Sequence, residues 1–302
     1  MKKAVYGVKT SSLAGNLEEQ MKRDLMSVKL KSIKLKMRAS AMSLLLVFAA
    51  TALPAAELKQ ETLRTWDKYM QALEVERQNR IAGSIPFLWV DGSPDVRMRI
   101  ERNEVVITNE DPRKVPQGMI HHWLGAVFIP NRTLDQVMGV LTNYGDYSEV
   151  YKQLLKSCSV LKRDGDDIQL KAVVEQKFMS VTAAAATDNQ IHIVRLDSKR
   201  AYITSRAIRI QEIADYGQAN QHPFPEDRRP GYVWRAVVNE RLEERDGGVC
   251  VELETVALSR GIPFEFRWLI KPLTDELPRK MMVDMLKDTQ AALENGENVA
   301  SK

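Results

Sequence analysis

Apolar and polar residues alternate over most of the stretch between residues 118 and 259. A period of two is typical of strands that bury one face, and Asp-Gly or polar pairs between such runs favour hairpins. The pattern therefore predicts a series of antiparallel strands. Their ranges are Ile120–Ile129, Ser157–Lys162, Ile168–Lys177, Val181–Thr187, Ile191–Leu196, Ala201–Ile213, Gly231–Leu242 and Val249–Ser259.

Helical spacing of apolar residues precedes these strands and recurs after the first one. Glu57–Ala82 carries one apolar stripe on an otherwise charged segment, which predicts a helix with one buried face. Thr133 is placed to cap a second helix, with Gln136 in the capping-box position three residues on. A further short helix is predicted within residues 144–156. The stripe of the first helix consists of Trp66, Tyr69, Met70 and Leu73.

The C-terminal part of the chain is predicted to be helical. Pro263–Ile270 is expected to form a short helix and Thr274–Glu294 a long one with a broad apolar face. Pro272 and Pro278 are expected to confine the start of the long helix, because proline is tolerated in the first turn and not further in.

The order of these elements is that of an α+β domain. We expect residues 118–294 to form the main domain, residues 57–117 to form a helical extension packed on it, and residues 295–302 to be a disordered tail. The extension includes a short strand at Glu104–Thr108 and turn residues at 110–118. The first strand is apolar on both faces, so the extension is expected to cover one of them. The residues of that face are Leu124, Ala126 and Phe128.

The first 56 residues differ from the rest in charge. They hold ten of the 44 basic residues and three of the 40 acidic ones, which leaves 34 basic and 37 acidic residues in 57–302. The body therefore carries −3, although the whole chain carries +4. A body without a basic excess has no charge with which to neutralise phosphates, so nucleic acid is not expected as a partner.

The charged leader has the layout of an export signal. The cationic segment Lys29–Arg38 precedes the uncharged segment Ala39–Ala56, and small residues follow. The pattern predicts that residues 1–56 are a signal peptide or N-terminal leader and that the body is periplasmic or extracellular. An uncleaved N-terminal anchor is the alternative, and the positive segment implies translocation of the body in either case.

The pair His121-His122 raises the question of a metal or catalytic site. Successive strand residues point to opposite faces, so the two rings are not expected to bind one ion. We expect a pair at the start of the strand, with one neutral ring turned inward and one in solvent, and no metal site. Cys158 and Cys250 could form one disulfide in an oxidising compartment, but both are placed inside predicted strands without hairpin proximity, so free thiols are the favoured alternative. No catalytic thiol is indicated.

Two segments resemble a known superfamily. Residues 120–151 read IHHWLGAVFIPNRTLDQVMGVLTNYGDYSEVY, and residues 231–263 read GYVWRAVVNERLEERDGGVCVELETVALSRGIP. They resemble the opening strand, proline turn and helix, and the last hairpin, of the START-like (SRPBCC, helix-grip) superfamily. That superfamily includes lipid-transfer START domains, pollen-allergen proteins, coenzyme Q-binding proteins and polyketide cyclases. The likeness covers residues 118–293 and is nearest to exported bacterial START-like proteins of unassigned activity.

The resemblance implies a curved antiparallel sheet wrapped around a long C-terminal helix. It also implies an apolar cavity between them, holding a lipid or another hydrophobic small molecule and no cofactor. The chain departs from the subgroup at Asn239-Glu240, where aromatic residues are expected, which makes the pocket wall less aromatic. The expected cavity residues are Trp123, Val127, Trp234, Val238, Trp268, Met281, Met282 and Met285.

Arginines near the last strands are candidates for the polar end of the site. Arg235 and Arg260 are predicted to bind a ligand carboxylate or phosphate if they point inward. The alternative is an arginine that points outward, Arg235, Arg241 or Arg260, paired across the sheet with a glutamate. The glutamates of that alternative are Glu252 and Glu254.

Three functions stay open at this point. The first is binding or transfer of a hydrophobic small molecule, with contact to a membrane surface included among the expected partners. The second is a structural or interaction protein whose cavity is filled by its own side chains. The third is an enzyme of the polyketide cyclase or aromatase type, which needs an inward titratable residue with a shifted pKa. The sequence shows no compact catalytic set and gives no oligomeric state.

Overall fold

The structure, a computed structural model, describes residues 60–178, 181–224, 232–261 and 267–300, without the side chains of 111, 178, 181, 267–275 and 295–300. The helices are α1 (Gln60–Ile81), α2 (Pro94–Glu101), α3 (Leu134–Leu141), α4 (Tyr147–Val150) and α5 (Arg267–Ala300). The strands are β1 (Val106–Val115), β2 (Gly118–Pro130), β3 (Leu155–Asp164), β4 (Asp167–Phe178), β5 (Val181–Arg195), β6 (Arg200–Ala214), β7 (His222–Pro223), β8 (Val233–Arg245) and β9 (Gly248–Arg260). The predicted leader, residues 1–56, lies outside the described residues.

The described strands form one antiparallel sheet in the order β1-β2-β9-β8-β6-β5-β4-β3, with β7 paired to β6. Hairpins connect β3 with β4, β5 with β6 and β8 with β9, at turn residues that the sequence indicated. The turn between β8 and β9 places Asp246 at φ 53° and Gly247 at φ 79°, the left-handed conformations of a two-residue hairpin. Because β2 pairs with the last strand, β9, the first and last sheet-forming segments of the main domain are neighbours.

Helix α5 packs on the inner face of this curved sheet. The inner core joins side chains of α3, α5 and most strands, including Val127, Leu242, Met282 and Leu286. The helix lies close to β2 at Gly125, where an added Cβ would come within 3.0 Å of the Met282 Cε and 3.1 Å of a Leu286 methyl group. The closest atom to that Cβ would be Ile107 Cδ1 of β1 at 2.7 Å, so a larger residue at position 125 would require these side chains to shift.

The N-terminal extension covers the outer face of the sheet. Leu88 and Val90 pack with Ala126 in one buried cluster, and Trp66 of α1 packs with Val256 in another. The prediction that the extension covers this face of β2 is confirmed, since Ala126 is fully buried. The domain boundaries drawn from the sequence stay a prediction.

Several predicted elements differ from the observed ones in length. The residues Asp188–Gln190, expected to be a turn, lie inside the continuous strand β5, and α5 runs through Pro272 and Pro278 in place of two helices. Strand β5 has β4 on one side and β6 on the other, so ladder bonds on both sides outweigh the turn preference of its polar residues. Strand β1 likewise extends through the expected turn 110–118, with a register shift around Pro112 at this sheet edge.

The caps of α3 follow the predicted pattern. The Thr133 hydroxyl accepts a hydrogen bond from the Gln136 backbone N–H at 3.4 Å, and the Gln136 side chain accepts one from the Thr133 N–H at 2.9 Å. This reciprocal pair is a capping box, and it begins the helix directly after β2. The predicted helix in residues 144–156 is reduced to the single turn α4.

Candidate functional site

Most of the predicted cavity residues lie on the inner face. Trp123, Val127 and Met282 are buried in the inner core, while Val238 and Met285 are half-buried beside it. Close packing between the sheet and α5 buries Trp123, Val127 and Met282. Met281 is half-buried on α5. The Trp268 side chain lies outside the described residues. A ligand contact by these residues stays a prediction.

Trp234 and Arg235 do not join that group: the assignment of Trp234 to the cavity is wrong, and for Arg235 the structure has the outward alternative. Trp234 packs with the cluster of Trp66 on the outer face, and Arg235 pairs in register with Leu258, which belongs to the same outer cluster. The physical reason is a β-bulge between Val233 and Arg235, which shifts the alternation of the strand by one residue. Counting by two back from Val238 therefore gives the wrong face for Trp234, whereas it places Arg235 on the outer face, as observed.

Arg260 is buried at the end of β9, close to Glu212 of β6. Burial raises the pKa of Glu212, although hydrogen bonds from backbone N–H groups and the charge of Arg260 act in the opposite direction. The third candidate arginine, Arg241, points outward and pairs with glutamates of β9, so the outward alternative is confirmed for it.

His122 lies on the outer face in a chain of buried hydrogen bonds. Its Nε2 lies 2.9 Å from Glu254 Oε1, and its Nδ1 lies 2.7 Å from the hydroxyl of Tyr69 on α1. Because a carboxylate only accepts, Nε2 carries the hydrogen and the Tyr69 hydroxyl donates to Nδ1. His121, on the inner face, is also buried, with Nε2 2.8 Å from Ser259 Oγ. The expectation that one ring lies in solvent is wrong, because the extension covers it.

Arg241 links this chain to a second buried glutamate. Its Nε donates to Glu252 at 2.9 Å and its Nη1 to Glu254 at 3.1 Å. Glu252 also accepts the backbone N–H of Val90 at 2.8 Å, which ties the extension to β9. Burial alone would raise the pKa of Glu254, but the hydrogen bond from His122 and the charge of Arg241 outweigh it and lower that pKa to about 2. Arg241, Glu252 and Glu254 on the outer face thus all have hydrogen-bond partners.

Glu240 presents the opposite case on the inner face. It lies on β8 between Val238 and Leu242, both of which pack with the inner core, and it pairs in register with Ile203. Its Oε2 is buried and has no hydrogen-bond partner. Burial raises the pKa of this carboxyl to about 7. A carboxyl group therefore stands alone on an otherwise apolar wall.

Three tyrosines from the segment after α3 surround this part of the inner face. The rings of Tyr144 and Tyr147 are 4.7 Å apart, and those of Tyr147 and Tyr151 are 5.0 Å apart. Burial raises the pKa of all three hydroxyls, and the negative charge of Glu240 raises it further. The tyrosines are thus near enough to Glu240 for its charge to act on each of them.

The tyrosines differ in their hydrogen bonds. Tyr147 donates to the carbonyl of Leu141, and the Tyr151 hydroxyl lies 3.0 Å from Thr289 Oγ1 of α5. The Tyr144 hydroxyl is buried without a partner. Buried polar atoms are almost always partnered in folded proteins, so unpartnered atoms on Tyr144 and Glu240 in one region need a specific cause.

Glu240 and Tyr147 also keep solvent-accessible surface, since both are half-buried. Their pKa values are nonetheless governed by removal from bulk water. Glu240 is thus a partly exposed carboxyl at the margin of the inner core, and its Oε2 has no hydrogen-bond partner. The sequence analysis missed this site because it treated Glu240 only as the loss of an aromatic residue. The signal was available: Glu240 is the one charged residue among the inward positions 236, 238, 240 and 242.

Other features of the described residues do not coincide with this region. A cleft of about 390 Å³ opens along Glu276, Arg279, Lys280 and Val283 of α5, and one of about 220 Å³ lies where α5 meets the end of β2. The described residues contain no cluster of side chains suited to a metal ion and no helix long and apolar enough to cross a membrane. Cys158 and Cys250 are free thiols whose pKa burial raises.

No protein-family model matches the chain, and no curated protein sequence matches it. Among solved structures, a START superfamily protein from Mycobacterium smegmatis is 9% identical with a TM-score of 0.41, over 58% of this chain and 97% of that chain. Human StAR-related lipid transfer protein 5 is 9% identical with a TM-score of 0.42, over 75% and 99%. The Zhui aromatase/cyclase from a Streptomyces species is 11% identical with a TM-score of 0.42, over 58% and 94%.

These similarities are low, so the fold is assigned from the topology itself. Strand β2 is followed by two short helices, a run of antiparallel strands leads back to β9 beside it, and the long helix α5 lies across the inner face. This arrangement is the START-like, helix-grip fold that the two quoted segments predicted.

Proposed function

We propose that the protein binds a hydrophobic small molecule between the inner face of the sheet and its helices. The observation that carries the proposal is the pair of buried, unpartnered polar atoms, Glu240 Oε2 and the Tyr144 hydroxyl, on an inner face of mainly apolar side chains. Val238, Met138 and Met285 pack against the same inner core and are only half-buried. Ligand sites are typically apolar spaces of this kind with few polar groups.

The close contact of α5 with β2 limits where such a molecule would lie. At Gly125 the helix and the strand leave no space for a methyl group, so the ligand would lie toward β8 and β6 and not beneath that contact. The alternative of a cavity filled by the protein's own side chains fits the region around Gly125. It does not account for the unpartnered atoms of Glu240 and Tyr144.

Binding is tested with the neutral fluorescent probe N-phenyl-1-naphthylamine, titrated into the full chain. A Val238→Trp variant should fill the space and abolish saturable fluorescence enhancement, while its circular dichroism spectrum stays unchanged. A Val160→Trp variant adds the same ring at an exposed position of β3 and should bind as the original chain does. Absence of saturable binding, or equal binding by both variants, would overturn the proposal.

An enzyme is the second candidate, and Glu240 is the observation that favours it. A carboxyl with a pKa of about 7 is suited to proton transfer near neutral pH. Such a role requires a substrate whose reacting proton comes within hydrogen-bond reach of Glu240. The first step is to identify what the protein binds. Native mass spectrometry of protein isolated from its own host detects any small molecule that remains bound. Release of an unchanged molecule from the wild type and from Glu240→Gln alike would exclude the enzyme.

We propose in addition that the protein is exported and acts outside the cytoplasm. The cationic segment and apolar run of residues 29–56 support this. N-terminal sequencing of the mature protein tests it, with a start after residue 50 expected. A mature protein that begins at Met1 and stays in the cytoplasmic fraction would contradict it.

A further inference from the structure

Glu240 is an exception among the buried glutamates of the sheet. Glu252 and Glu254, on the next strand, bind Arg241 and further donors, but the described residues provide no lysine or arginine paired with Glu240. Its pKa reflects burial alone, with no charged group acting on it. A carboxyl that is removed from water without a counter-charge is unfavourable when ionised. A molecule that supplies the positive charge would remove that penalty.

Tyr144 provides a second polar group for the same molecule. It lies in the connection between α3 and α4, whereas Glu240 lies on β8, so the two belong to different walls of the inner space. Tyr144 is buried in the inner core, and Val238 and Leu242, the inward neighbours of Glu240 on β8, pack with the same core, so both groups face it. The neighbouring hydroxyls of Tyr147 and Tyr151 are already bonded, so Tyr144 is the hydroxyl of the three that is left to accept a hydrogen bond.

The chemistry of the pair selects one kind of ligand. A carboxylate accepts hydrogen bonds and attracts positive charge, and a phenol oxygen accepts one more hydrogen bond. A primary ammonium group carries one positive charge and three donors, which matches both groups. A fatty-acid carboxylate would face Glu240 as a like charge and would bind more weakly.

Resting on the proposed binding function, we propose that Glu240 and Tyr144 hold the polar end of the ligand, and that this ligand is an amphiphilic amine with its alkyl or ring part along Val238 and Met285. Glu240 accepts from the ammonium group and balances its charge. Tyr144 accepts a second hydrogen bond and fixes the orientation of the head group.

The test is competition against bound N-phenyl-1-naphthylamine at pH 8 by dodecylamine, dodecanol and dodecanoate. The original chain should prefer dodecylamine to dodecanol by about tenfold, since hydrogen bonds to charged groups are the stronger ones. Dodecanoate should compete least. Glu240→Gln should bring dodecylamine and dodecanol to equal strength while still binding the fluorescent probe. Tyr144→Phe should weaken dodecylamine several-fold.

Tyr151→Phe is the matched control, because it removes a neighbouring hydroxyl that is already bonded to Thr289. It should leave the preference for the amine unchanged. If the probe does not bind the original chain at all, the proposed function fails. If the probe binds but the amine is not preferred, or if the preference survives in Glu240→Gln, the binding function stands and the amine inference is overturned.

Discussion

Glu254 on β9 and Glu240 on β8 belong to neighbouring strands, yet their side chains lie on opposite faces of the sheet. On the outer face, His122 and Arg241 hold Glu254 ionised, with a pKa of about 2. On the inner face, Glu240 has no such partner and its pKa is about 7. The fold thus uses buried charge to attach its N-terminal extension on one side and leaves a buried carboxyl unmatched on the other. The difference indicates that the outer network serves structure and that Glu240 is available for a ligand.

The largest expected effect comes from breaking the outer network. Arg241→Leu leaves Glu252 and Glu254 buried without their cation. Removing one partner of a buried pair costs about 3–5 kcal/mol, so the free energy of unfolding should fall by that amount in urea titrations. A loss below about 1 kcal/mol would show that water reaches this network.

The next largest effect is expected from the ionisation of Glu240, which makes the free energy of unfolding depend on pH. Its folded pKa of about 7 exceeds the ordinary value of 4.5 for a glutamate, so the folded state holds the proton more tightly and stability falls as pH rises from about 4.5 through 7. The penalty above pH 7 is at most about 3 kcal/mol. Glu240→Gln should therefore be more stable than the original chain at pH 8 and about equal to it at pH 4.5, measured by urea unfolding. Equal stability at both pH values would show that the carboxyl is solvated.

Glu254→Gln is the control for this measurement, with the opposite sign. Because the folded pKa of Glu254 is lowered to about 2, its stabilisation is present above pH 4.5 and is lost as pH falls toward 2. The variant should therefore be less stable than the original chain at pH 8, where Glu240→Gln is more stable.

A smaller effect on stability is expected when one tyrosine hydroxyl is removed from either face of the sheet. Tyr69→Phe removes the donor to His122 Nδ1 and should lower the free energy of unfolding by about 1 kcal/mol. Tyr144→Phe removes a hydroxyl without a partner and should cost nothing in the ligand-free protein. Thermal unfolding of both variants in parallel measures the difference. Equal losses would mean that Tyr144 has a partner in solution, such as a bound water.

The smallest effect is expected for an exposed ion pair. Arg195→Leu removes the bond to Asp135, and both side chains are substantially exposed. Such pairs contribute about 0–1 kcal/mol because solvent screens them. Urea unfolding in low and high salt measures this contribution. If Arg195→Leu lowered the free energy of unfolding as much as Arg241→Leu does, burial would not explain why the two ion pairs differ.

Much of the fold was predictable because its signals are local. The two-residue period of the strands, the Asp-Gly turn before Gly248 and the Thr133 cap each act within a few residues of sequence. Where prediction failed, the cause was non-local. Asp188–Gln190 has the composition of a turn, but strands on both sides hold it extended.

The candidate site was less predictable for the same reason. The bulge before Arg235 depends on pairing with β9, and it reversed the face assigned to Trp234. The importance of Glu240 depends on the absence of a partner for its buried Oε2 in the three-dimensional structure, and no spacing along one strand shows that. Composition and periodicity identify a face of a strand but not whether its polar groups have partners.

The hydrogen bond from Val90 to Glu252 joins positions 162 residues apart in the chain. During synthesis the extension emerges first, but its buried acceptor emerges only with the last strand. Pairings of such long sequence separation form slowly, because closing the intervening chain costs entropy before any contact is gained. The N-terminal segment must therefore wait for nearly the whole polypeptide before it docks, so its attachment is expected to be among the last events of folding.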